Sequence, residues 1–263
     1  MSGRRPKGIS VVIPLSSASY MPYLRNCVTS IADQTVGKDM LDITIVYAFN
    51  RQHLESEVPC DQLAQLASEH DAAVIFHEHN YPDFPLSLAR NVGGRRAVRQ
   101  VVGFVDADIV LDPETFETVL RFVPASHKAA CVHVHRMNER PDGLKGYIYE
   151  ERRKEVFRHN LKKGRLDPAG KGGCVFVETH TFVDIGGYDE RFYGWGCEDE
   201  DLAKRLDDHR VSIVPLLTEG IIAMHQYHDR PKQFSPRVAR NRELLATSAT
   251  VHRNDDGWGG FKG

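Results

Sequence analysis

The sequence predicts an α/β fold with a mostly parallel central sheet flanked by helices. Three observations carry this reading. Short β-branched runs alternate with helical patterns along the chain, the order that builds a parallel sheet. The run Val101–Val105 reads as a buried strand. At its end stand Asp106 and Asp108, two carboxylates where open α/β sheets bind ligands.

The elements follow in order. Ile9-Ser-Val-Val-Ile-Pro14 is a short strand stopped by Pro14 and followed by polar Ser16, Ser17 and Ser19. Leu24, Cys27, Val28 and Ile31 then fall on one apolar helix face, with Pro22 near its start. Leu41–Tyr47 is the second strand, a helical stretch covers Cys60 to His70, and Ala73–Phe76 is the third strand. Ser87 is the expected cap of a helix reaching Arg99. Asp112 is the expected N-cap of a helix from Pro113 to Arg121, with proline in the first helical position. Ala130–His135 reads as one strand. From Arg136 to Lys171 the chain turns charged, with an expected helix around Tyr147 to Leu161 and glycines at 170, 172 and 173, an excursion from the sheet. Cys174–Val177, Val211–Pro215 and Ile221–Met224 are further strands, and Arg230 to Gly263 shows little periodicity before a Gly/Trp-rich end. The implied organisation is a flexible stretch at 1–8, one domain over 9–229 with halves of about 9–112 and 113–229, and a C-terminal extension at 230–263.

Composition sets the outer bounds. Of the 263 residues 41% are hydrophobic, enough for a substantial core. A net charge of −2, from 34 Lys and Arg against 36 Asp and Glu, offers no global attraction to nucleic acid or a membrane surface, so any anionic partner must be met locally. The five cysteines are scattered without a Cys-x-x-Cys pair, which indicates neither a disulfide framework nor a zinc site. No stretch approaches the roughly 20 apolar residues of a membrane span. The basic start, Met1 to Gly8, lacks a following signal-type region, and the expectation is a soluble, cytoplasmic protein.

Two constellations carry chemistry. Side chains alternate along a strand, so Asp106 and Asp108 are expected to lean one way and Ala107 the other. Two hard oxygen donors there suit Mg²⁺ or Mn²⁺ with positions left open for phosphate oxygens. By itself the pair is a weak signal that reads more often as a solvated turn. The second constellation is Gly186-Gly-Tyr-Asp-Glu-Arg-Phe-Tyr-Gly-Trp-Gly-Cys-Glu-Asp-Glu-Asp-Leu202. Acidic residues favour a helix N-terminus, but four in one turn exceed what capping requires. Trp195 between its glycines is either a sugar-stacking face or a core anchor.

Together, Asp106-Ala107-Asp108 after an apolar strand, Gly-Gly-Tyr-Asp-Glu-Arg-Phe and Gly-Trp-Gly-Cys-Glu-Asp-Glu-Asp-Leu resemble glycosyltransferases of the GT-A fold. The likeness is to family 2 enzymes with a galactosyltransferase-type C-terminal module, from about Ile9 to His228. The resemblance implies a GT-A (Rossmann-like) fold with a nucleotide-binding first half and an acceptor-binding, catalytic second half. It implies a nucleoside-diphosphate sugar donor, UDP-linked, that contacts Pro14, Asn50, Arg90, Asp106, Ala107, Asp108 and Trp195. The metal implied is Mn²⁺ or Mg²⁺, held by Asp108 and Asp106 with a histidine from His225 and His228; imidazole favours manganese. Asp199 is implied as the general base beside Glu198, giving direct attack by an acceptor hydroxyl with inversion. The acceptor is open among carbohydrate, glycolipid, peptide or small molecule.

The chain departs from the family 2 pattern after the second strand. An acidic residue commonly holds the nucleobase there, whereas this chain reads Tyr47-Ala48-Phe49-Asn50-Arg51. Two other functions compete. A nucleotidyltransferase would want a Gly-rich basic loop after the first strand, where this chain has Leu15-Ser-Ser-Ala-Ser19. A catalytically inactive sugar-nucleotide-binding module would need the fold but neither acidic pair. The basic residues between 136 and 171 suit an anionic acceptor or a solvated helix face.

Overall fold

The computed structural model describes residues 5–50, 59–137, 157–158, 161–162, 164–167, 173–228, 235–247, 254 and 256–260. The expected helix around Tyr147 to Leu161, most of the charged excursion, and Gly170 and Gly172 lie outside the described residues, apart from short pieces.

The first half alternates as expected: β1 (Ile9–Leu15), α1 (Met21–Ala32), β2 (Leu41–Phe49), α2 (Cys60–His70), β3 (Ala72–Glu78), α3 (Leu86–Gly94), β4 (Val101–Val105). Then come β5 (Ile109–Val110), α4 (Thr115–Ser126), β6 (Ala129–Cys131), β7 (His133–Met137), β8 (Gly164–Asp167), β9 (Cys174–Glu178), α5 (Thr179–Asp184), α6 (Glu198–Asp208), β10 (Ile213–Pro215), β11 (Ile222–His225) and α7 (Ser235–Thr247). A seven-stranded sheet has the order β10-β6-β9-β4-β1-β2-β3, and a four-stranded sheet the order β5-β11-β7-β8. In the large sheet β4, β1, β2 and β3 run parallel, while β9 lies antiparallel between β4 and β6. Helices cover both faces. Val11 and Ile13 of β1 pack with α1 and α2, and Val12 packs on the other side with α3 and α5. Burial on both faces is why these strands read as unbroken apolar runs.

Several boundaries differ from the sequence expectation: Pro14 does not stop β1, which continues through it to Leu15 in register with β2, and others differ for a local reason. α3 ends at Gly94 rather than Arg99, because Ser10 Oγ accepts the N–H groups of Val98 and Arg99 at 3.1 Å and turns the chain into β4. Ser87 is not its cap; it is fully buried inside the helix. α4 starts at Thr115 because Asp112 caps the preceding turn, its Oδ1 accepting from the Glu114 N–H at 2.9 Å. The helix continues to Ser126 because Phe116, Val119 and Val123 extend one buried face. The run Ala130–His135 is two strands in two sheets, parted at Val132, whose N–H turns to the Cys174 carbonyl at 3.0 Å. In the extension, α7 forms where the sequence showed little pattern.

Cys27, Cys131 and Cys174 are buried, while Cys60 is exposed. No helix among the described residues is long and apolar enough to cross a membrane.

Candidate active site

The site forms where the chain leaves the large sheet at the end of β4 and enters the small one at β5. The Asp106 N–H donates to the Gly173 carbonyl at 2.9 Å, and its own carbonyl accepts from Ile109 at 3.0 Å, closing a turn around Asp108. Ile109 then pairs antiparallel with His225 of β11. That register brings two histidines to Asp108, whose Oδ2 lies 3.6 Å from His225 Nε2 and 3.0 Å from His228 Nε2. One ligand atom from each of the three side chains falls within 4.8 Å of the other two. Gln226, fully buried, locks this segment: its N–H donates to the Asp108 carbonyl, and its side chain bonds Asn26 and the Tyr23 carbonyl on α1.

The electrostatics favour a cation. Burial works to raise the Asp108 carboxyl, but the His228 hydrogen bond and the two imidazoles hold it below its ordinary value, so it is ionised. Burial lowers His225 against the pull of Asp108, which favours the neutral ring. Its Nδ1 lies 2.9 Å from the Gln226 carbonyl. In the neutral ring the proton sits on Nδ1 to make that bond, which leaves an Nε2 lone pair directed at the cluster.

Asp106 serves a different partner, contrary to the shared face expected of an extended strand, because it sits in the turn. Its Oδ1 accepts from Arg90 Nη2 at 3.0 Å. Arg90, in α3 and 1% exposed, also donates through Nη1 to Asp199 Oδ1 at 2.9 Å and Glu198 Oε1 at 3.4 Å. Its guanidinium lies 4.9 Å from the ring centre of Tyr188. Glu198 and Asp199 open α6, so one arginine joins the end of β4 to the first turn of α6. Burial pushes Asp106 up to about 6 against the pull of Arg90. Burial, and then the Glu198 carboxylate, push Asp199 well above its ordinary value.

The four acidic residues of that turn separate by role. Asp201 accepts from Arg205 Nε at 2.8 Å, and Arg205 in turn donates to the carbonyls of Ile185 and Gly187, so this pair is structural. Glu200 is exposed. Trp195 is 54% exposed, which excludes the core-anchor reading. Asn50 donates from Nδ2 to the Tyr81 carbonyl at 2.9 Å, and the Tyr81 ring lies 5.4 Å from that of Tyr193. Pro14 is buried in β1 opposite Val46, and Ala107 is 5% exposed within the core. Asn91, next to Arg90, is fully buried and binds both the N–H and the carbonyl of Tyr188 at 2.8 Å, holding the Gly-Gly-Tyr turn. Sequence reasoning missed Gln226, Tyr188 and two asparagines of the extension. Asn254 is one of them, donating from Nδ2 to the carbonyls of Gly186 and Tyr188 at 2.7 and 2.6 Å.

The family profile described as Glycosyltransferase like family 2 matches residues 10–247. Among solved structures, S. aureus TarS aligns with a TM-score of 0.58 at 15% identity over 84% of this chain and 37% of TarS. TarS 1-349 in complex with UDP-GlcNAc gives 0.57 at 15% identity, over 91% of this chain and 65% of that one. The mannosyltransferase PcManGT from Pyrobaculum calidifontis, in complex with GDP-Man and Mn²⁺, gives 0.56 at 16% identity, over 89% and 59%. This chain therefore spans less than two thirds of each of these proteins, and at such identity the likeness concerns the fold. No curated protein matches the chain in sequence.

Proposed function

The chain belongs to the glycosyltransferase like family 2 and has the GT-A fold of a glycosyltransferase, and from that premise we propose that it is a metal-dependent, inverting enzyme using a nucleoside-diphosphate sugar. The observation that carries this reading is the pairing of two sites at one end of the sheet: Asp108 with His225 and His228, and Asp199 with Glu198, joined through Arg90 and Asp106. Family membership sets the nucleotidyltransferase reading aside. TarS and PcManGT, with UDP-GlcNAc and with GDP-Man and Mn²⁺, support a nucleotide-sugar donor here. UDP-linked sugars are the first donors to test. The Gly-Trp-Gly and Glu-Asp run supports acceptor binding of the galactosyltransferase type.

One carboxylate and two imidazoles fit a divalent cation, and imidazole nitrogen selects Mn²⁺ over Mg²⁺. Held there, the ion would supply positive charge to the departing diphosphate. His225 is kept in its ligating form by the Gln226 carbonyl, and Asp108 is kept ionised by its two neighbours. Asp199 takes the proton of the attacking hydroxyl, and its raised proton affinity makes it a better base than a solvated aspartate. Arg90 limits that rise and orients the carboxylate at the same time. A single base acting with direct attack gives inversion at the anomeric carbon. Trp195 offers the acceptor sugar an exposed ring face.

The test is release of nucleoside diphosphate from a panel of UDP- and GDP-sugars with Mn²⁺. Turnover of at least one donor is expected in the wild type, and Asp108→Ala should abolish it. Equal turnover by that variant at limiting Mn²⁺ would remove the metal assignment.

A further inference from the structure

In the proposed function, which this inference rests on, the attacking hydroxyl meets Asp199 and Trp195, and both hang from one short loop. That loop has an unusual backbone: Gly194, Gly196 and Cys197 have φ of 76°, 97° and 74°. Glycine adopts this region freely, but Cys197 does so at a cost, and the surrounding contacts must hold it. Three carbonyls of the loop converge on a single side chain from the C-terminal extension. Asn241 Nδ2 lies 3.2 Å from the Tyr193 oxygen, 3.4 Å from that of Trp195 and 2.9 Å from that of Gly196.

Asn241 is 1% exposed, so its amide hydrogens stand in place of water on those part-buried carbonyls, and losing them takes that donor away from the loop. Its own orientation is set from the other side. Asn241 Oδ1 accepts from Arg240 at 2.9 Å, while the Arg240 guanidinium lies 3.9 Å from the Tyr193 ring centre and donates to the Arg191 carbonyl. The loop passes its position on directly: the Cys197 carbonyl accepts from the Asp201 N–H at 3.0 Å and starts the turn that carries Asp199.

We infer that Asn241 is a positioning residue for sugar transfer, fixing the 193–197 backbone and through it both Trp195 and Asp199. The helix α7 is therefore part of the catalytic unit rather than an appendage to it.

The experiment uses the full chain with Asn241→Asp, which keeps the side-chain shape but sets an oxygen against the three carbonyls, and the milder Asn241→Ser, which keeps one donor. Hydrogen exchange of residues 192–202 is read beside kcat, donor KM and Mn²⁺ affinity, with a donor that the wild type turns over. Asn241→Asp should speed exchange in that segment and lower kcat about 10- to 100-fold, the scale of a small misplacement of reacting groups. Donor KM and Mn²⁺ affinity should stay within about twofold of wild type, because, Trp195 apart, the residues assigned to the nucleotide and the metal lie on other elements. Asn241→Ser should fall between the two, and decides the matter by the same readings if Asn241→Asp does not fold. Unchanged exchange of the loop in both variants overturns the inference. So does a loosened loop with undiminished kcat, or a loss of Mn²⁺ affinity that accounts for the whole effect. Failure of the parent reading shows elsewhere, as a wild-type enzyme that turns over no nucleotide sugar, and that result defeats both.

Discussion

Arg90 has three carboxylates within 3.4 Å and is almost fully removed from solvent. It holds all three, so exposure decides which of the paired acids on α6 can react. Asp199 keeps 30% of its side-chain surface exposed, against 6% for Glu198, so Asp199 is the member that an acceptor can reach. We predict that Asp199→Asn lowers transfer by about 10²-fold or more while leaving donor KM nearly unchanged. The pH profile should agree. Only the ionised carboxylate accepts a proton, so the rate falls as pH drops through the raised value of Asp199, placing the acid limb above the ordinary aspartate range. Asp106, at about 6, shares Arg90 and contributes to the same limb, which belongs to the group rather than to one residue. The variant should flatten that limb. A wild-type limb in Asp199→Asn, measured as kcat against pH, would reassign the base. The acidic run was visible in the sequence, and the four-residue spacing of Asp201 and Arg205 on one helix signals their pair, but the attachment of Glu198 and Asp199 to Arg90 was not visible, because the two segments are remote along the chain.

Among the elements, α3 sets the precision of the site because it packs closely enough to deliver Arg90. A Cβ on Gly94 would lie 2.6 Å from Phe182 Cε1 and 3.0 Å from Phe104 Cζ, both rings fully buried. Gly93 faces Val12 of β1 in the same way, at 2.4 Å. The helix therefore rests on the sheet with its backbone. Gly94→Ala should destabilise the protein by about 1–3 kcal/mol, the usual cost of overpacking. At about 2–4 °C per kcal/mol for a chain of this size, the midpoint of thermal unfolding falls by several degrees. Turnover should fall as well, since Arg90 moves with the helix. A midpoint equal to wild type would mean that Phe182 yields freely. Nothing in the pattern Leu-Ala-Arg-Asn-Val-Gly-Gly distinguished a packing glycine from a helix stop. The end of α3 depends instead on the Ser10 hydroxyl, which lies 88 and 89 residues away along the chain.

At the scale of the whole molecule, the metal group joins the two sheets. Asp108 lies between β4 of the large sheet and β5 of the small one, while His225 ends β11 of the small sheet. A cation there ties elements remote in sequence, so its binding should stabilise the folded state as a whole. Mn²⁺ at 100 times its dissociation constant should add about 2.7 kcal/mol, read as a rise in unfolding temperature that EDTA reverses. His225→Ala and His228→Ala should each lose most of that rise while still folding without metal. A rise that survives in both variants would place the binding elsewhere.

The sequence by itself determined the alternation of strands and helices in the first half, the buried parallel strands and the acidic pairs, because these are signalled by local periodicity and residue type. The β-branched runs had to be covered on both faces, and the four acids of 198–201 could not all be caps. Tertiary structure alone decided the rest. The antiparallel course of β9, the division of Ala130–His135 between two sheets, and the pairing of Ile109 with His225 are choices of partner, and a strand's own residues do not specify its partner. The same holds for Asn241, which is read as an ordinary polar helix residue until the carbonyls of a loop some 45 residues earlier converge on its amide. Hydrogen bonds between distant segments depend on where folding has placed them, and that placement is a property of the packed chain.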